Sequence, residues 1–251
     1  MSAPIVHSLE PVSLIGGGIV GKNDLAVALG YAPTLVAADG GAAVALAAGH
    51  DPVAVIGDFD SLSLADRARI PPDRLFPIRE QDSTDFDKAL RSISAPLVLA
   101  IGFLGGRVDH QLAAFNTLVR HANQLCVLIG PQEVIFHAPP RLDLDLAPGD
   151  ILSLFPLLPV SGISRGLEWP IDGLALEPGG RIGTSNRALG PVHLTMNVPG
   201  ALVIAPRAAL GAVMRAFAPD QRLSFAPENG TGAETGFAGG PKPARWPARG
   251  G

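Results

Sequence analysis

Residues 34–61 show one pattern twice: Thr34-Leu35-Val36-Ala37-Ala38-Asp39-Gly40-Gly41 and, after an apolar stretch with helical spacing, Val53-Ala54-Val55-Ile56-Gly57-Asp58-Phe59-Asp60-Ser61. Each begins with a short apolar run bounded by turn residues, the signature of a buried strand. Each ends in an aspartate-bearing turn. The pattern continues down the chain. Leu75–Ile78 precedes Asp82-Ser83-Thr84-Asp85-Phe86-Asp87-Lys88, and Leu97–Phe103 precedes Gly105-Gly106-Arg107-Val108-Asp109-His110. Strand, acidic turn and helix in alternation predict a mostly parallel sheet flanked by helices. Turns after the carboxyl ends of such strands share one edge, where ligands bind. The four acidic turns are therefore expected to converge.

Convergence has an electrostatic cost. Two carboxylates about 4 Å apart repel by roughly 4 kcal/mol at an effective dielectric near 20. A crevice lined by four or five needs a cation among them, or protons on some. Oxygen donors with no cysteine or histidine cluster favour a hard cation such as Mg2+, which commonly binds through one or two carboxylates plus substrate phosphates. A single Asp-Gly turn is ordinary loop chemistry; four at one sheet edge point to a site.

Composition narrows the classes. The 251 residues suit one large or two modest domains, and an apolar fraction of 47% is ample for a packed core. A net charge of -4 without a basic run argues against a nucleic-acid surface. The single cysteine, Cys126 within Leu125–Ile129, excludes an intramolecular disulfide and reads as packing. Met1–His7 lacks a charged segment followed by an apolar one, and no uninterrupted apolar span reaches membrane length. The expectation is a soluble cytoplasmic protein with no membrane partner.

The alternation fills residues 1–137, an expected α/β domain for nucleotide and metal. From Ala138-Pro139-Pro140 the character changes. Asp150–Phe155, Gly173–Leu176, Val192–Val198 and Ala201–Ile204 are β-rich segments between Gly and Pro turns, predicting an antiparallel β-sandwich over 138–217, closed by a helix at Arg207–Phe217. Residues 218–251 are Gly/Pro-rich and read as a mobile tail despite Trp246.

The glycine loop Gly16-Gly17-Gly18-Ile19-Val20-Gly21-Lys22-Asn23 follows the strand Val12–Ile15 and fits three descriptions. As G-x-x-x-x-G-K it is a phosphate loop with Asn23 where a metal-binding hydroxyl belongs. As G-x-G-x-x-G it is a dinucleotide fingerprint with Asp39 as ribose ligand, which would make the protein a nicotinamide-dependent oxidoreductase and leave the other acidic turns idle. It is also a plausible tight strand-to-helix turn.

In the third acidic turn, Ser83 or Thr84 is placed to cap a helix whose first turn holds Asp85, with Lys88 on the same face. In the fourth, Arg107 offers a planar fork to phosphate oxygens. Asp109 sits before the expected helix Gln111–Arg120 and is a candidate cap, while His110 has no assigned role.

Together, Ala38-Asp39-Gly40-Gly41, Gly57-Asp58-Phe59-Asp60-Ser61, Asp82–Leu90 and Gly105–Leu112 resemble the thiamine pyrophosphokinases, in which such pieces occur in this order and at similar spacing. The resemblance continues through Gly166-Leu167-Glu168-Trp169-Pro170 and Thr184-Ser185-Asn186. It implies pyrophosphoryl transfer from ATP to the thiamine hydroxyethyl oxygen in a homodimer with thiamine sites at the subunit interface. It implies Asp58, Asp60 and Asp85 as Mg2+ ligands with Asp39 beside them, and Lys88 and Arg107 on phosphates. Asp109 would contact thiamine or arrange the centre. Gly40, Ser61 and Asp82 would border the ligands. Trp169 would stack on the thiamine pyrimidine beside Ser185 and Asn186, although a sandwich-core tryptophan would read the same way. Arg187 departs from the pattern, standing where an acidic residue is expected. A protein that keeps the fold and binds nucleotide or thiamine without turnover is the non-enzymatic alternative.

Overall fold

The computed structural model describes residues 3–217. The segment 218–251, expected to be a tail, lies outside them. In chain order the first part runs β1 (Val6–His7), β2 (Val12–Ile15), α1 (Asp24–Tyr31), β3 (Thr34–Ala38), α2 (Gly41–Ala47), β4 (Ala54–Gly57), α3 (Leu64–Arg69), β5 (Leu75–Pro77), α4 (Asp85–Arg91), β6 (Ile93–Ser94), β7 (Val98–Ile101), α5 (Val108–Arg120) and β8 (Cys126–Ile129). β1 and β6 form a separate parallel pair. The other strands lie in the order β8-β7-β2-β3-β4-β5, all parallel.

The strands are short apolar runs because both sheet faces are covered. Ile15, Ala37, Val55, Leu99 and Val127 point into one core layer with Leu25, Ala28, Ala42 and Ala45 of α1 and α2. Leu14, Val36, Ile56, Val98 and Leu128 point into the other with Phe86, Ala89 and Leu90 of α4 and Leu118 of α5. From β2 the chain winds outward through β3, β4 and β5, then returns to β7 and β8 on β2's other side. The winding direction therefore reverses between β2 and β7, and a crevice opens at such a point.

The second part contains β9 (Glu133–His137), β10 (Arg141–Leu144), β11 (Ile151–Pro156), β12 (Val160–Leu167), β13 (Ala175–Leu176), β14 (Gly183–Met196), β15 (Ala201–Pro206) and α6 (Leu210–Phe217). β9 joins β8 antiparallel, β15 joins β9, and the antiparallel strands follow, so thirteen strands share hydrogen bonds without a break. The first half of β14 pairs with β11 and the second with β10 and β12. Alternate residues Leu142, Leu144, Leu152, Leu154, Val192 and Leu194 close a core between these segments. No helix among the described residues is long and apolar enough to cross a membrane.

Several local expectations are corrected. Val192–Val198 is only the end of β14, which passes through Gly190-Pro191. Pro191 falls between the β11 register, which ends at Arg187, and the β10 register, which begins at Val192. Its missing N–H therefore costs little there. The predicted helix at Arg207 starts as a 3-10 turn over Arg207–Ala209 before α6. The helix expected from Gln111 begins at Val108, so Asp109 lies in its first turn and Arg107 takes the cap position.

β9 ends at His137, whose half-buried Nε2 accepts a hydrogen bond from Gly200 N at 3.0 Å. Burial holds this imidazole below its ordinary pKa. The unfolded chain then binds the proton more readily than the folded one. His137's contribution is whole above about pH 6.5 and is lost as pH falls toward the depressed folded value. The urea midpoint of the wild type is expected to drop between pH 7 and pH 5, and His137→Gln to flatten that dependence. An unchanged slope would show that His137 does not contribute.

Candidate active site

Asp39 follows β3 with φ of 42°, a left-handed conformation rare for residues with a side chain. It is 2% exposed. Gly57, at the end of β4, makes this placement possible, because a Cβ there would lie 2.8 Å from the Asp39 Cβ. Asp39 Oδ2 accepts a hydrogen bond from Ser61 N at 3.2 Å, while its buried Oδ1 has no partner among the described residues. Burial, and next the Asp85 carboxylate, push the Asp39 carboxyl above the usual range.

Phe59, between Asp58 and Asp60, is also left-handed at φ 66°. Its ring is buried, with the Arg67 guanidinium 5.1 Å from its centre. Carboxylate oxygens of Asp39, Asp58 and Asp60 lie within 4.8 Å of one another. Ser61 Oγ donates to Asp60 Oδ1 at 2.8 Å, and Gln81 Nε2 to Asp58 Oδ2 at 3.5 Å. This oxygen-only set, with an unpartnered buried oxygen in it, fits a hard divalent cation.

Asp85 joins through Lys88. Thr84, not Ser83, caps α4, its Oγ1 accepting from Asp87 N at 3.3 Å. Lys88 Nζ donates to Asp58 Oδ2 at 3.0 Å and to Asp85 Oδ1 at 3.1 Å. The Lys88 side chain is only 3% exposed. Burial opposes its charge, but the bonds to Asp58 and Asp85 outweigh that and hold its pKa above the ordinary value. Lys88 in turn holds Asp58 below the carboxylate range.

The remaining sequence-predicted residues are placed differently. Arg107 and Asp109 are exposed and form a two-point ion pair with each other, Nε–Oδ1 at 3.1 Å and Nη2–Oδ2 at 2.5 Å. Each holds the other charged, Asp109 shifted down and Arg107 up. Neither contacts the carboxylate group. Asp82 is exposed, and Gly40 lies beside Ser61. Trp169 is 54% exposed, which removes the core reading. Asn186 is buried and grips the Trp169 backbone: its Oδ1 accepts from Trp169 N at 3.1 Å and its Nδ2 donates to Trp169 O at 2.6 Å. Ser185 is exposed and left-handed at φ 59°.

The glycine loop is a packing turn. Gly16 N donates to Ile101 O and Gly18 N to Gly102 O, both at 2.9 Å, and Gly21 N donates to Asp24 Oδ2 at 2.8 Å. A Cβ on Gly18 would meet Gly102 O at 2.5 Å. Those amides are spent inside the protein, and Asp39 faces Ser61 rather than open solvent. That takes three of the loop's amides from the phosphate-loop reading and the ribose ligand from the dinucleotide reading.

Residues that sequence reasoning passed over brace α4. Asp87, 4% exposed, lies 2.7 Å from His121 Nε2 and 3.7 Å from both Arg91 and Arg120. Arg91 also pairs with Glu80. Asp87 was visible in the motif, but its partners on α5 are set by tertiary packing.

A carboxylate crevice at the carboxyl edge of a parallel sheet, continued by an antiparallel β unit, defines an α/β protein with a site suited to a divalent cation and phosphates. Residues 27–129 match the description "Thiamin pyrophosphokinase, catalytic domain", and residues 135–199 match "Thiamin pyrophosphokinase, vitamin B1 binding domain". The chain belongs to the thiamin pyrophosphokinase family. It is 28% identical over 156 residues to thiamine pyrophosphokinase 1 of Oryza sativa subsp. japonica, covering 55% of this chain and 59% of that one. It is 27% identical over 198 residues to the thiamine pyrophosphokinase of Bacillus subtilis, covering 72% and 91%. The chain thus matches less than two thirds of the rice relative's length, and more than two thirds of the bacterial one's. The Candida albicans thiamin pyrophosphokinase structure shares the fold, with a TM-score of 0.67 at 16% identity, covering 82% of this chain and 95% of that one.

Among the described residues Lys88 is the ammonium that bridges these acids, so Lys88→Met is expected to leave Asp58 and Asp85 without it. Both carboxylates reach solvent, which limits the loss to about 2 kcal/mol at low salt. Thermal unfolding in chelator should show this loss, and millimolar Mg2+ should restore more stability to the variant than to the wild type. Equal Mg2+ effects on both would separate Lys88 from the cation site.

Proposed function

We propose that this protein is a thiamine pyrophosphokinase acting as a cytoplasmic homodimer, which transfers a pyrophosphoryl group from ATP to the thiamine hydroxyethyl oxygen. The new bond joins that oxygen to the β-phosphorus, the bond from the β-phosphorus to the α-phosphate bridging oxygen breaks, and the hydroxyl gives up its proton. The products are thiamine diphosphate and AMP. The observation that carries this reading is the unpartnered, buried Asp39 Oδ1 inside the Asp39, Asp58 and Asp60 group, in a chain matching both family domains.

Asp39, Asp58, Asp60 and Asp85 would hold Mg2+, which when bound supplies charge neutralisation on the triphosphate. The protein's own part is positioning. Asp58 and Asp85 hold Lys88 charged, ready for phosphate oxygens. Arg107 offers a second cation once its exposed bond to Asp109 is exchanged for a phosphate, leaving Asp109 free for thiamine. Gly40, Ser61 and Asp82 border the crevice on the acidic turns. On the β unit, Asn186 fixes the Trp169 backbone so that the indole face is available to stack on the thiamine pyrimidine. Ser185 stands next to it.

Incubation with ATP, thiamine and Mg2+ is expected to give equimolar thiamine diphosphate and AMP. ADP with thiamine monophosphate, or no product from folded protein, would overturn the assignment. Asp60 is exposed and its carboxylate is bonded, among the described residues, to the adjacent Ser61 alone, so Asp60→Asn should keep the fold and lower kcat at least 100-fold, about 3 kcal/mol of transition-state stabilisation. Trp169→Ala should raise the thiamine KM by about tenfold and leave the ATP KM nearly unchanged, in line with loss of an aromatic stacking contact. Equal effects on both substrates would remove Trp169 from the thiamine pocket.

A further inference from the structure

Asp24 is 8% exposed yet ionisable, and it opens α1 directly after the glycine loop. Its two oxygens are divided between two structures. Oδ2 accepts from Gly21 N at 2.8 Å, and Oδ1 accepts from Arg207 Nη2 at 2.7 Å. Arg207 lies 183 positions away, in the turn between β15 and α6. Its Nη1 donates to Gly130 O at 2.6 Å and its backbone N to Gln132 O at 2.8 Å. One guanidinium therefore ties the β8–β9 turn and the end of β15 to the loop between β2 and α1.

That loop stands where the winding direction reverses between β2 and β7, the place at which open α/β sheets take their ligands. It also touches the acidic turns. A Cβ on Gly17 would lie 3.3 Å from the Gly40 carbonyl carbon, a Cβ on Gly40 would lie 3.3 Å from Ser61 Cβ, and Ser61 bonds Asp60. Gly18 is fixed to Gly102, and Gly21 to Asp24. Just before and between these two anchors, Gly17, Ile19 and Val20 N–H find no acceptor among the described residues, and Gly17 and Ile19 are exposed.

We infer that Arg207 is a positioning residue for the nucleotide: through Asp24 it holds the glycine loop as the wall of the triphosphate side of the crevice. It touches no reacting atom. The wall is held from the β8–β9 turn and the end of β15, not from β14, which carries Ser185 and Asn186, or from the segment after β12, which carries Trp169. This rests on the pyrophosphokinase reading, and thiamine contacts are not expected to depend on it.

The experiment is calorimetric binding of α,β-methylene-ATP, which cannot release AMP, with Mg2+, alongside thiamine binding and steady-state kinetics. Arg207→Met is expected to weaken the analogue and raise the ATP KM about tenfold, with thiamine affinity and KM within about twofold, as for loss of a support behind a binding surface. Arg207→Lys keeps the charge but not the fork that reaches Asp24 and Gly130 together, so an intermediate loss of about threefold is expected. It also serves if Arg207→Met does not fold. Asp24→Asn in the Arg207→Met background should add little to either single change. Unchanged analogue affinity in Arg207→Lys and Arg207→Met, or equal losses for analogue and thiamine, would overturn the inference. A wild type that binds the analogue but forms no thiamine diphosphate would sink the pyrophosphokinase reading and leave the Arg207 comparison decisive. A wild type that binds no nucleotide would overturn both.

Discussion

Lys88 between Asp58 and Asp85 is the interaction on which the site depends. Parallel strands deliver their following turns to one edge, so the topology forces acids of separate segments together whatever their mutual repulsion. A nearly buried ammonium is costly by itself. Held by two carboxylates at 3.0 and 3.1 Å, it links the turn after β4 to the first turns of α4 and offsets part of the negative charge. Asp39 is accommodated differently. Its burial disfavours the charged form and pushes its carboxyl above the usual range.

The backbone pays for this arrangement locally. Asp39 and Phe59 both adopt left-handed conformations, and both belong to the acidic turns. Such conformations persist only where surrounding structure enforces them. Here the enforcement is visible: Gly57 leaves room for Asp39, and Phe59 is buried under Arg67. Strain at Phe59 lets Asp58 and Asp60 reach the same group while the ring between them packs into the core.

Much of this was legible because the sheet is covered on both faces. Continuous apolar runs such as Val98–Ile101 followed by Gly and Asp leave few alternatives, and the acidic edge follows from their order. The antiparallel strands were harder. β12 carries Gly162 and Gly166 where a strand pattern wants side chains; both glycines are needed because Cβ atoms there would strike Thr195 O and Pro191 O at 2.5 and 2.0 Å. Of β14 only the part after Gly190-Pro191 was read as a strand, and that break in pattern is a change of partner. The glycine loop misled for a related reason. Its letters fit phosphate motifs, but where its amides point is decided by Gly102 and Asp24. The Arg207 contact, between residues 183 apart, leaves no local trace.

Trp169 and Arg187 are each held by a neighbouring side chain of the β unit. An indole 54% exposed gains little from core packing, so its position rests on the Asn186 amide, which closes both backbone groups of Trp169. The aromatic face is thereby preorganised while still wet. Arg187, next in sequence to Asn186, places a positive charge where an acid was expected. Glu168, the residue before Trp169, takes up that charge with Oε2 3.3 Å from Arg187 Nη1. The pair leaves the surroundings of the indole near neutral, and the sequence departure at Arg187 is balanced by the residue that precedes Trp169.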